Sequence, residues 1–347
     1  MNARGLFPFA HANDDPMTNA LLTVDRLEKF FPLRRGLLSR VVANVKAVDD
    51  VSFDIAEGET LGLVGESGCG KTTAGQTILR LLDPTGGTVW FEGRDVASAR
   101  GDALRELRRD MQIVFQDPFG SLNPRMTVQG IVEEGLVVHR LGSKPRRREK
   151  VLETLEQVGL DRSSMNRYPH EFSGGQRQRV CVARALALNP KFMVLDEPIS
   201  ALDVSIQSQI INLLVELREK FKLTYLFISH DLSVVEYISD RVAVMYLGRI
   251  VELAPAHLLY RKPLHPYSEA LLGSIPTMDP KARRERIVLP GDVPSPVNPP
   301  SGCRFHPRCP LRAKLGGADQ RRCQEELPAL RELAPGHVSR CHFAEKM

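Results

Sequence analysis

The segment Gly65-Glu-Ser-Gly-Cys-Gly-Lys-Thr72 constrains this sequence most, because it fits the pattern G-x-x-x-x-G-K-[ST]. An apolar run at 60–64 precedes it and a helical stretch at 72–82 follows it, as the pattern requires. Glycines let the backbone turn its N–H groups toward an anion, and a helix N-terminus adds a favourable dipole. Lys71 then supplies a point charge for the β- and γ-phosphates of ATP, and the Thr72 hydroxyl is a ligand for Mg²⁺. The predicted ATP-binding residues of this loop are Gly65, Glu66, Ser67, Gly68, Cys69, Gly70, Lys71, Thr72 and Thr73.

The order of predicted elements indicates the fold class. Helical stretches alternate with short strand-like runs, and the run at 192–195 is apolar without alternation, as in a strand buried on both faces. This order predicts a mostly parallel α/β core, with a helical insertion at 127–170. The predicted domains are a disordered N-terminal extension at 1–18, an α/β ATPase domain at 19–275 with a helical subdomain at about 117–172, and a proline-rich C-terminal region at 276–347 that ends in a cysteine-bearing tail.

Composition excludes some classes of protein. The chain is 42% hydrophobic and 26% charged, and no apolar run approaches the ~18–20 residues that a membrane span needs. The N-terminus lacks the apolar stretch of a secretory signal, so we expect the protein on the cytoplasmic side of the membrane. A basic cluster at 139–150 suggests nucleic acid or anionic lipid, but it contains no aromatic residues for base stacking. A solvated helix start is the preferred interpretation, and no nucleic-acid partner is predicted.

A second acidic motif completes the phosphate chemistry. The run Phe192-Met-Val-Leu ends in Asp196 and Glu197. A buried strand that ends in aspartate places a carboxylate near the magnesium ion, usually through water. Glu197 would then face the γ-phosphate and polarise the attacking water as a general base, which predicts ATP hydrolysis.

The segment Ser173-Gly-Gly-Gln176 precedes a helix and predicts a second anion site, because a serine and two glycines lie at a helix N-terminus. A plain N-cap is the alternative for Ser173. The predicted residues of this segment are Ser173, Gly174, Gly175 and Gln176.

Together with Ser200-Ala-Leu-Asp203 and Ile228-Ser-His230-Asp231, these motifs resemble, in kind and order, those of ABC-transporter ATPases. The resemblance implies that Gln116 senses Mg²⁺ and the water, that His230 holds the γ-phosphate, and that Asp203 acts across a dimer. It implies Thr72, Gln116 and Asp196 as the magnesium site. An aromatic residue near the first strand is expected to stack on adenine; Phe31 is preferred and Phe30 is second, with core packing as the alternative.

The stretch Gln116-Asp-Pro-Phe-Gly-Ser-Leu-Asn-Pro-Arg-Met-Thr127 is similar to the ATPases of dipeptide, oligopeptide and nickel importers. Leu264-His-Pro-Tyr267, 291–296 and Gly302-Cys-Arg-Phe-His-Pro-Arg-Cys-Pro310 resemble the same subfamily. The chain most resembles the second ATPase of the dipeptide/oligopeptide pair. Nickel or glutathione import, and a soluble non-transport ATPase, remain as alternatives.

The tail carries Cys303, Cys309, Cys323 and Cys341, whose spacing is not the paired C-x₂-C of zinc ribbons. In a reducing compartment such a group favours metal over disulfides. Zn²⁺, a [4Fe–4S] cluster and unliganded thiols are the open alternatives, with His306 and His342 as spare ligands. The related importer ATPases suggest the cluster.

The resemblance also implies a mechanism and its partners. Two such ATPases close head to tail over two ATP molecules, and residues 173–176 act on the nucleotide of the other subunit. The expected partners are a paralogous ATPase, two transmembrane permease subunits and, indirectly, a substrate-binding protein. The expected location is the cytoplasmic face of the inner membrane.

Overall fold

The computed structural model describes residues 20–36, 39–275 and 287–347. The predicted extension at 1–18 lies outside the described residues, as does the first part of the proline-rich linker. The strands are β1 Ala20–Arg35, β2 Arg40–Ala56, β3 Thr60–Val64, β4 Gly86–Phe91, β5 Arg94–Asp95, β6 Met111–Val114, β7 Phe192–Asp196, β8 Thr224–Ile228, β9 Arg241–Tyr246, β10 Arg249–Pro255, β11 Arg331–Ala334 and β12 His337–Ser339. The helices are α1 Lys71–Ile78, α2 Gly101–Asp110, α3 Pro118–Ser121, α4 Val128–Val138, α5 Lys144–Gln157, α6 Gly174–Leu186, α7 Val204–Phe221, α8 Leu232–Ile238, α9 Ala256–Arg261, α10 Pro266–Leu272, α11 Pro310–Ala313 and α12 Gly317–Glu325.

The chain packs into two compact units. The first unit comprises the residues up to Ile55, Leu61–Ala97 and His230–Met347. The second unit comprises Ala56–Thr60 and Ser98–Ser229. The predicted α/β fold is confirmed, whereas the domain boundaries at 19, 276 and about 117–172 stay predictions.

The first unit contains two groups of paired strands. β2, β1, β4 and β5 are neighbours in one sheet, and β1 pairs antiparallel with β4. In the other group β3 pairs parallel with β9, and β9 continues antiparallel through β10 and β12 to β11. The tail strands therefore extend the sheet that carries β3, the strand that leads into the phosphate loop.

The second unit contains a parallel arrangement of β6, β7 and β8. Every residue of β7 and β8 is buried, as expected for apolar runs without alternation. Helix α4 packs against α5 and α6, which places helices where the sequence predicts the helical insertion. This packing is consistent with the apolar face of each helix, since Val151 and Leu155 of α5 are fully buried.

Two elements differ in length from the prediction. The alternating run at 20–27 predicts an edge strand, whereas β1 extends to Arg35 and lies between β2 and β4. A bulge between Asp25 and Glu28 carries its pairing with β4 as far as Glu28 and Gly86. The helix predicted to reach residue 82 ends at Ile78. Arg80 adopts a positive φ of 56°, and Leu81 N–H donates to the carbonyl of Gln76, which closes the helix early.

Candidate functional site

The phosphate loop of the first unit has the backbone that its glycines allow. Gly65, Gly68 and Gly70 all have positive φ values, of 154°, 78° and 109°. A Cβ on Gly70 would lie 2.0 Å from the carbonyl oxygen of Ala47, and one on Gly65 would lie 2.2 Å from that of Met245. The loop therefore lies against neighbouring backbone at two of its three glycines, where a side chain has no room.

Lys71, at the start of α1, is buried and has its ammonium at the loop backbone. Its Nζ donates to the carbonyl oxygens of Gly65 at 2.8 Å and Glu66 at 3.2 Å, and lies 4.0 Å from the Cys69 sulfur. Thr72 and Thr73 follow in the first turn of α1 and are half-buried, while Ser67 and Gly68 are exposed. The loop thus presents a cation, exposed backbone at 67–68 and hydroxyls at one helix N-terminus.

Cys69 has a thiol buried in the loop. Burial raises the pKa of Cys69, and the nearby Lys71 only partly offsets it. A raised pKa leaves the thiol protonated near neutral pH, and a protonated thiol is a poor nucleophile.

The second unit brings Gln116 and Glu197 together. Gln116 Nε2 donates to Glu197 Oε2 at 2.7 Å, across 81 residues of sequence. Asp196 is buried at the end of β7, and Glu197 follows it with a positive φ of 45°. The Glu197 backbone N–H donates to the carbonyl of Ile228 at 2.9 Å. This hydrogen bond fixes the backbone of Glu197 directly after β7, and with it the position of the carboxylate.

Ser173 forms a reciprocal cap at the start of α6. Its hydroxyl accepts from the Gln176 N–H at 3.4 Å, and the Gln176 side-chain oxygen accepts from the Ser173 N–H at 3.1 Å. The cap considered as the alternative is therefore formed, and the predicted contact with a partner's nucleotide stays a prediction. Ser173 itself is exposed, and Gly175 is buried with a virtual Cβ 2.4 Å from Ile206 Cγ2.

The other predicted residues lie in several places. His230 is exposed before α8, whose N-cap is Asp231. Asp203 is exposed at the start of α7. Phe30 and Phe31 are half-buried on β1, with Lys46 over the first ring and Lys29 over the second, so both ring faces have a cation nearby. Neither the adenine contact nor core packing is tested by this placement.

The four tail cysteines line one small cavity, although they are spread over 39 positions of sequence. Cys303, Cys309, Cys323 and Cys341 are all free thiols that border a space of about 10 Å³, together with His306 and His342. Burial and the neighbouring thiols raise the pKa of Cys303 and of Cys341 to about 12.

The donor set fits a thiolate-bound metal in kind, but the cavity does not fit one in size. A space of about 10 Å³ is near the lower limit for a single water molecule. Among the residues that the structure describes, no three His, Cys, Asp or Glu side chains are grouped to hold one ion. The expectation of a [4Fe–4S] cluster is therefore unsupported here, and the thiols would have to move apart to take one.

Tyr267 and Arg308, for which the motifs predict no role, contact the phosphate loop from the C-terminal part of the first unit. The Glu66 N–H donates to the Tyr267 hydroxyl at 2.9 Å, and Arg308 Nη1 lies 2.9 Å from Glu66 Oε2. Both residues belong to the tail motifs that carry the resemblance, and that is the signal by which they could have been found.

Within the described residues, the structure contains no helix with both the length and the apolarity of a membrane span. Two family models match the chain: "ABC transporter" over residues 48–200, and "Oligopeptide/dipeptide transporter, C-terminal region" over residues 251–314.

Curated relatives align over nearly the whole chain. The oligopeptide transport ATP-binding protein AppF of Bacillus subtilis is 54% identical over 326 residues, which cover 93% of this chain and 97% of AppF. A putative peptide import ATP-binding protein of Brucella ovis is 54% identical over 92% of this chain and 97% of that protein.

Solved structures share the fold. The ATP-binding cassette MJ0796, in a dimeric structure bound to ADP and Pi, matches with a TM-score of 0.60 and 31% identity, covering 68% of this chain and 98% of that one. CbiO1 of Clostridium perfringens matches with a TM-score of 0.60 and 28% identity over 70% of this chain and 91% of that one.

Proposed function

This chain belongs to the family of ATP-binding proteins of ABC-type oligopeptide and dipeptide transporters, and from that premise we propose that it binds and hydrolyses ATP to power peptide import. The observation that carries the transport role is the relative named for oligopeptide transport, which aligns over 93% of this chain. The phosphate loop supports the ATP-binding role, because its glycines have positive φ values and the Lys71 ammonium lies at the loop backbone.

The proposed chemistry assigns one task to each group. The backbone N–H groups of 65–73 and the Lys71 ammonium bind the phosphates, and Thr72, Gln116 and Asp196 hold Mg²⁺ directly or through water. Glu197 accepts a proton from the attacking water, and His230 donates to the γ-phosphate. The hydrogen bond from Gln116 supports this assignment, since it orients the Glu197 carboxylate that takes the proton.

We further propose that a paralogous ATPase completes the site. In this arrangement Ser173, Gly174, Gly175 and Gln176 act on the nucleotide of the partner, and Asp203 lies at the subunit interface. Contacts to the γ-phosphate exist only in the closed dimer, so ATP favours closure and hydrolysis favours opening. The dimeric structure of the related cassette MJ0796 supports a dimer for this chain, while the choice of a paralogous partner rests on the subfamily resemblance.

The proposed place of action is the cytoplasmic face of the inner membrane, on two permease subunits. The direct experiment expresses this chain with the ATPase and permease subunits encoded beside it and purifies the complex in detergent. We expect co-purification, ATP hydrolysis and uptake of a labelled di- or oligopeptide into vesicles with a substrate-binding protein added. The Lys71→Ala complex should assemble without uptake.

The alternatives give different results in the same assay. Uptake of nickel or glutathione in place of peptides assigns the chain to one of those importers. A chain that hydrolyses ATP but never associates with membrane subunits contradicts the transport role.

As a second proposal, we assign metal binding to the four tail cysteines, because free thiols from 303 to 341 border one cavity, which must widen to admit a metal. A [4Fe–4S] cluster is the preferred cofactor of this site, and a Zn²⁺ ion is the alternative. Anaerobic purification with visible spectroscopy and with iron and zinc analysis tests this. A colourless protein without iron contradicts the cluster, and the absence of both metals leaves unliganded structural thiols.

A further inference from the structure

Every polar group of Glu66 is engaged by another part of the first unit. Its carbonyl oxygen accepts from Lys71 Nζ at 3.2 Å, and its N–H donates to the Tyr267 hydroxyl at 2.9 Å. Its carboxylate oxygens accept hydrogen bonds from Arg308 Nη1, at 2.9 Å for Oε2 and 3.3 Å for Oε1. Glu66 therefore connects Lys71 to two residues that lie 201 and 242 positions after Glu66 in the sequence.

The two distant residues are themselves rigidly placed. Tyr267 is fully buried, and its ring packs against Tyr246 at 4.7 Å and Phe305 at 5.4 Å between centroids. Phe305 meets the Tyr246 ring edge-on at 5.2 Å. Such a cluster of three buried aromatic rings leaves the Tyr267 hydroxyl little freedom to follow a moving loop.

Arg308 is held by its neighbours in sequence. In the short segment from 303 to 309, Cys303 and Cys309 border the cysteine cavity, whereas Arg304 and Arg308 contact residues of the ATPase domain. Arg304 donates to Asp49 and to the Leu247 carbonyl, which anchors this segment. Arg308 is buried, and burial in a cluster makes an ion pair more sensitive to the loss of one partner than an exposed pair is.

We infer that Arg308 and Tyr267 are positioning residues of this ATPase, which hold Glu66, and through it Lys71, in the geometry that binds the phosphates of ATP. The inference rests on the proposed function and adds to it a role for the C-terminal region in nucleotide binding. Neither residue touches the nucleotide in this role, because both act through Glu66.

Loss of the Arg308 contact frees the Glu66 side chain and loosens the loop that Lys71 needs, so the effect falls on nucleotide affinity. A coupling of this kind typically changes affinity by about 5- to 150-fold. We expect Arg308→Gln to raise the Kd for a fluorescent ATP analogue and the KM for ATP about 10-fold, with kcat changed less than 2-fold. Arg308→Lys keeps a cation at the carboxylate and should recover most of the affinity.

The test measures binding and hydrolysis with the full-length chain, and follows thermal unfolding of each variant. Tyr267→Phe keeps the ring packing and removes only the acceptor of the Glu66 N–H, so it should raise Kd without a large loss of stability. Arg340→Gln is the matched control, because Arg340 is also a largely covered tail arginine, half-buried where Arg308 is buried, that pairs with a carboxylate of the ATPase domain, Asp50, at 3.0 Å. The Arg340 side chain donates to Asp50 and to the Ile250 carbonyl, both outside the phosphate loop, so Arg340→Gln should leave Kd unchanged.

A double-mutant cycle isolates the pair from general damage. If Arg308 acts through Glu66, then Glu66→Gln combined with Arg308→Gln raises Kd no more than the larger single change. Three results would each overturn the inference. The two single changes could raise Kd by factors that multiply in the double variant, or Arg308→Gln could have a Kd within 2-fold of the wild type. Arg340→Gln could also raise Kd as much as Arg308→Gln does. The proposed function stands in all three cases as long as the wild-type chain binds and hydrolyses ATP, and a wild-type chain that does neither overturns both.

Discussion

Gln116 donates its side-chain amide to the carboxylate of Glu197 at 2.7 Å, and this contact joins two segments of the second unit that lie 81 residues apart. Gln116 is exposed, whereas Glu197 is half-buried behind a strand whose last residue, Asp196, is 2% exposed. An amide donor at this distance fixes the orientation of the carboxylate, and a general base has to be held in a defined position. Gln116 and Glu197, the proposed base, are therefore one structural pair.

The first prediction concerns Glu197 itself. Glu197→Gln keeps the shape of the side chain but cannot accept a proton, so we expect hydrolysis to fall about 10²- to 10⁴-fold while ATP still binds. ATPase assays and size-exclusion chromatography with Mg-ATP measure the two effects, and the variant should persist as a closed ATP-bound dimer. Glu219→Gln, on the exposed face of α7, is the control and should behave as wild type. Near-normal turnover in Glu197→Gln would refute its role as the base.

The second prediction compares two glycines of the phosphate loop by stability alone. A Cβ at Gly70 would lie 2.0 Å from the Ala47 carbonyl oxygen, whereas a Cβ at Gly68 meets nothing within 4 Å. Gly70→Ala should therefore lower the free energy of unfolding by about 3 kcal/mol or more, and Gly68→Ala by about 1 kcal/mol, the cost of a positive φ alone. Denaturant unfolding without nucleotide measures both. Equal losses would show that the contact with Ala47 is not tight.

The third prediction concerns the segment before α6. A Cβ on Gly175 would lie 2.4 Å from Ile206 Cγ2, so Gly175→Ala should displace this segment and lower hydrolysis by the complete complex about 10-fold or more. ATP binding to the same chain should be normal, because in the proposed dimer these residues act on the partner's nucleotide.

Ile206→Ala removes the methyl group that the new Cβ would strike. The Gly175→Ala/Ile206→Ala variant should therefore recover much of the activity, with Ile206→Ala alone as its control. A double variant no more active than Gly175→Ala would show that the glycine serves another purpose than close packing.

The fourth prediction concerns Asp49, which is buried and pairs with Arg304 and Arg249. Burial raises the pKa of Asp49, but the two guanidinium groups outweigh it, and the net pKa lies below its ordinary value. Because the folded pKa is the lower one, the stability from this group is present above about pH 4 and is lost as the pH falls below that. Asp49→Asn leaves Arg304 buried without its anion and should cost about 3–5 kcal/mol at pH 7.

The pH dependence provides the check on that cause. Wild type should lose stability between about pH 4 and pH 2 more steeply than Asp49→Asn. In this range the carboxyl group of Asp49 binds a proton when the wild type unfolds, and Asp49→Asn has no such group. Denaturant midpoints at several pH values measure the slopes, with Asp292→Asn, an exposed position, as the control. Parallel slopes in wild type and Asp49→Asn would contradict the ion-pair explanation.

Local sequence signals predicted much of the fold. The buried strands β3 and β7 fall where the apolar runs at 60–64 and 192–195 predict them, because a strand covered on both faces is apolar along its whole length. Helix α2 was not predicted, since only Leu107 and Asp110 of its ten residues are buried and no apolar stripe marks it. The hairpin of β9 and β10 was not assigned either, although Gly248 marks its turn.

The sequence by itself determined the chemistry of the phosphate loop and the order of the motifs, because glycine spacing, a lysine at a helix start and an acidic strand end are local properties of the chain. Tertiary structure alone decided what holds those groups. Glu66 meets Tyr267 and Arg308 across 201 and 242 residues, and no periodicity encodes such contacts. The same holds for the tail cysteines, whose spacing left metal, cluster and free thiol open. Their convergence on one cavity depends on how the tail packs, and the packing of distant segments is set by the whole fold.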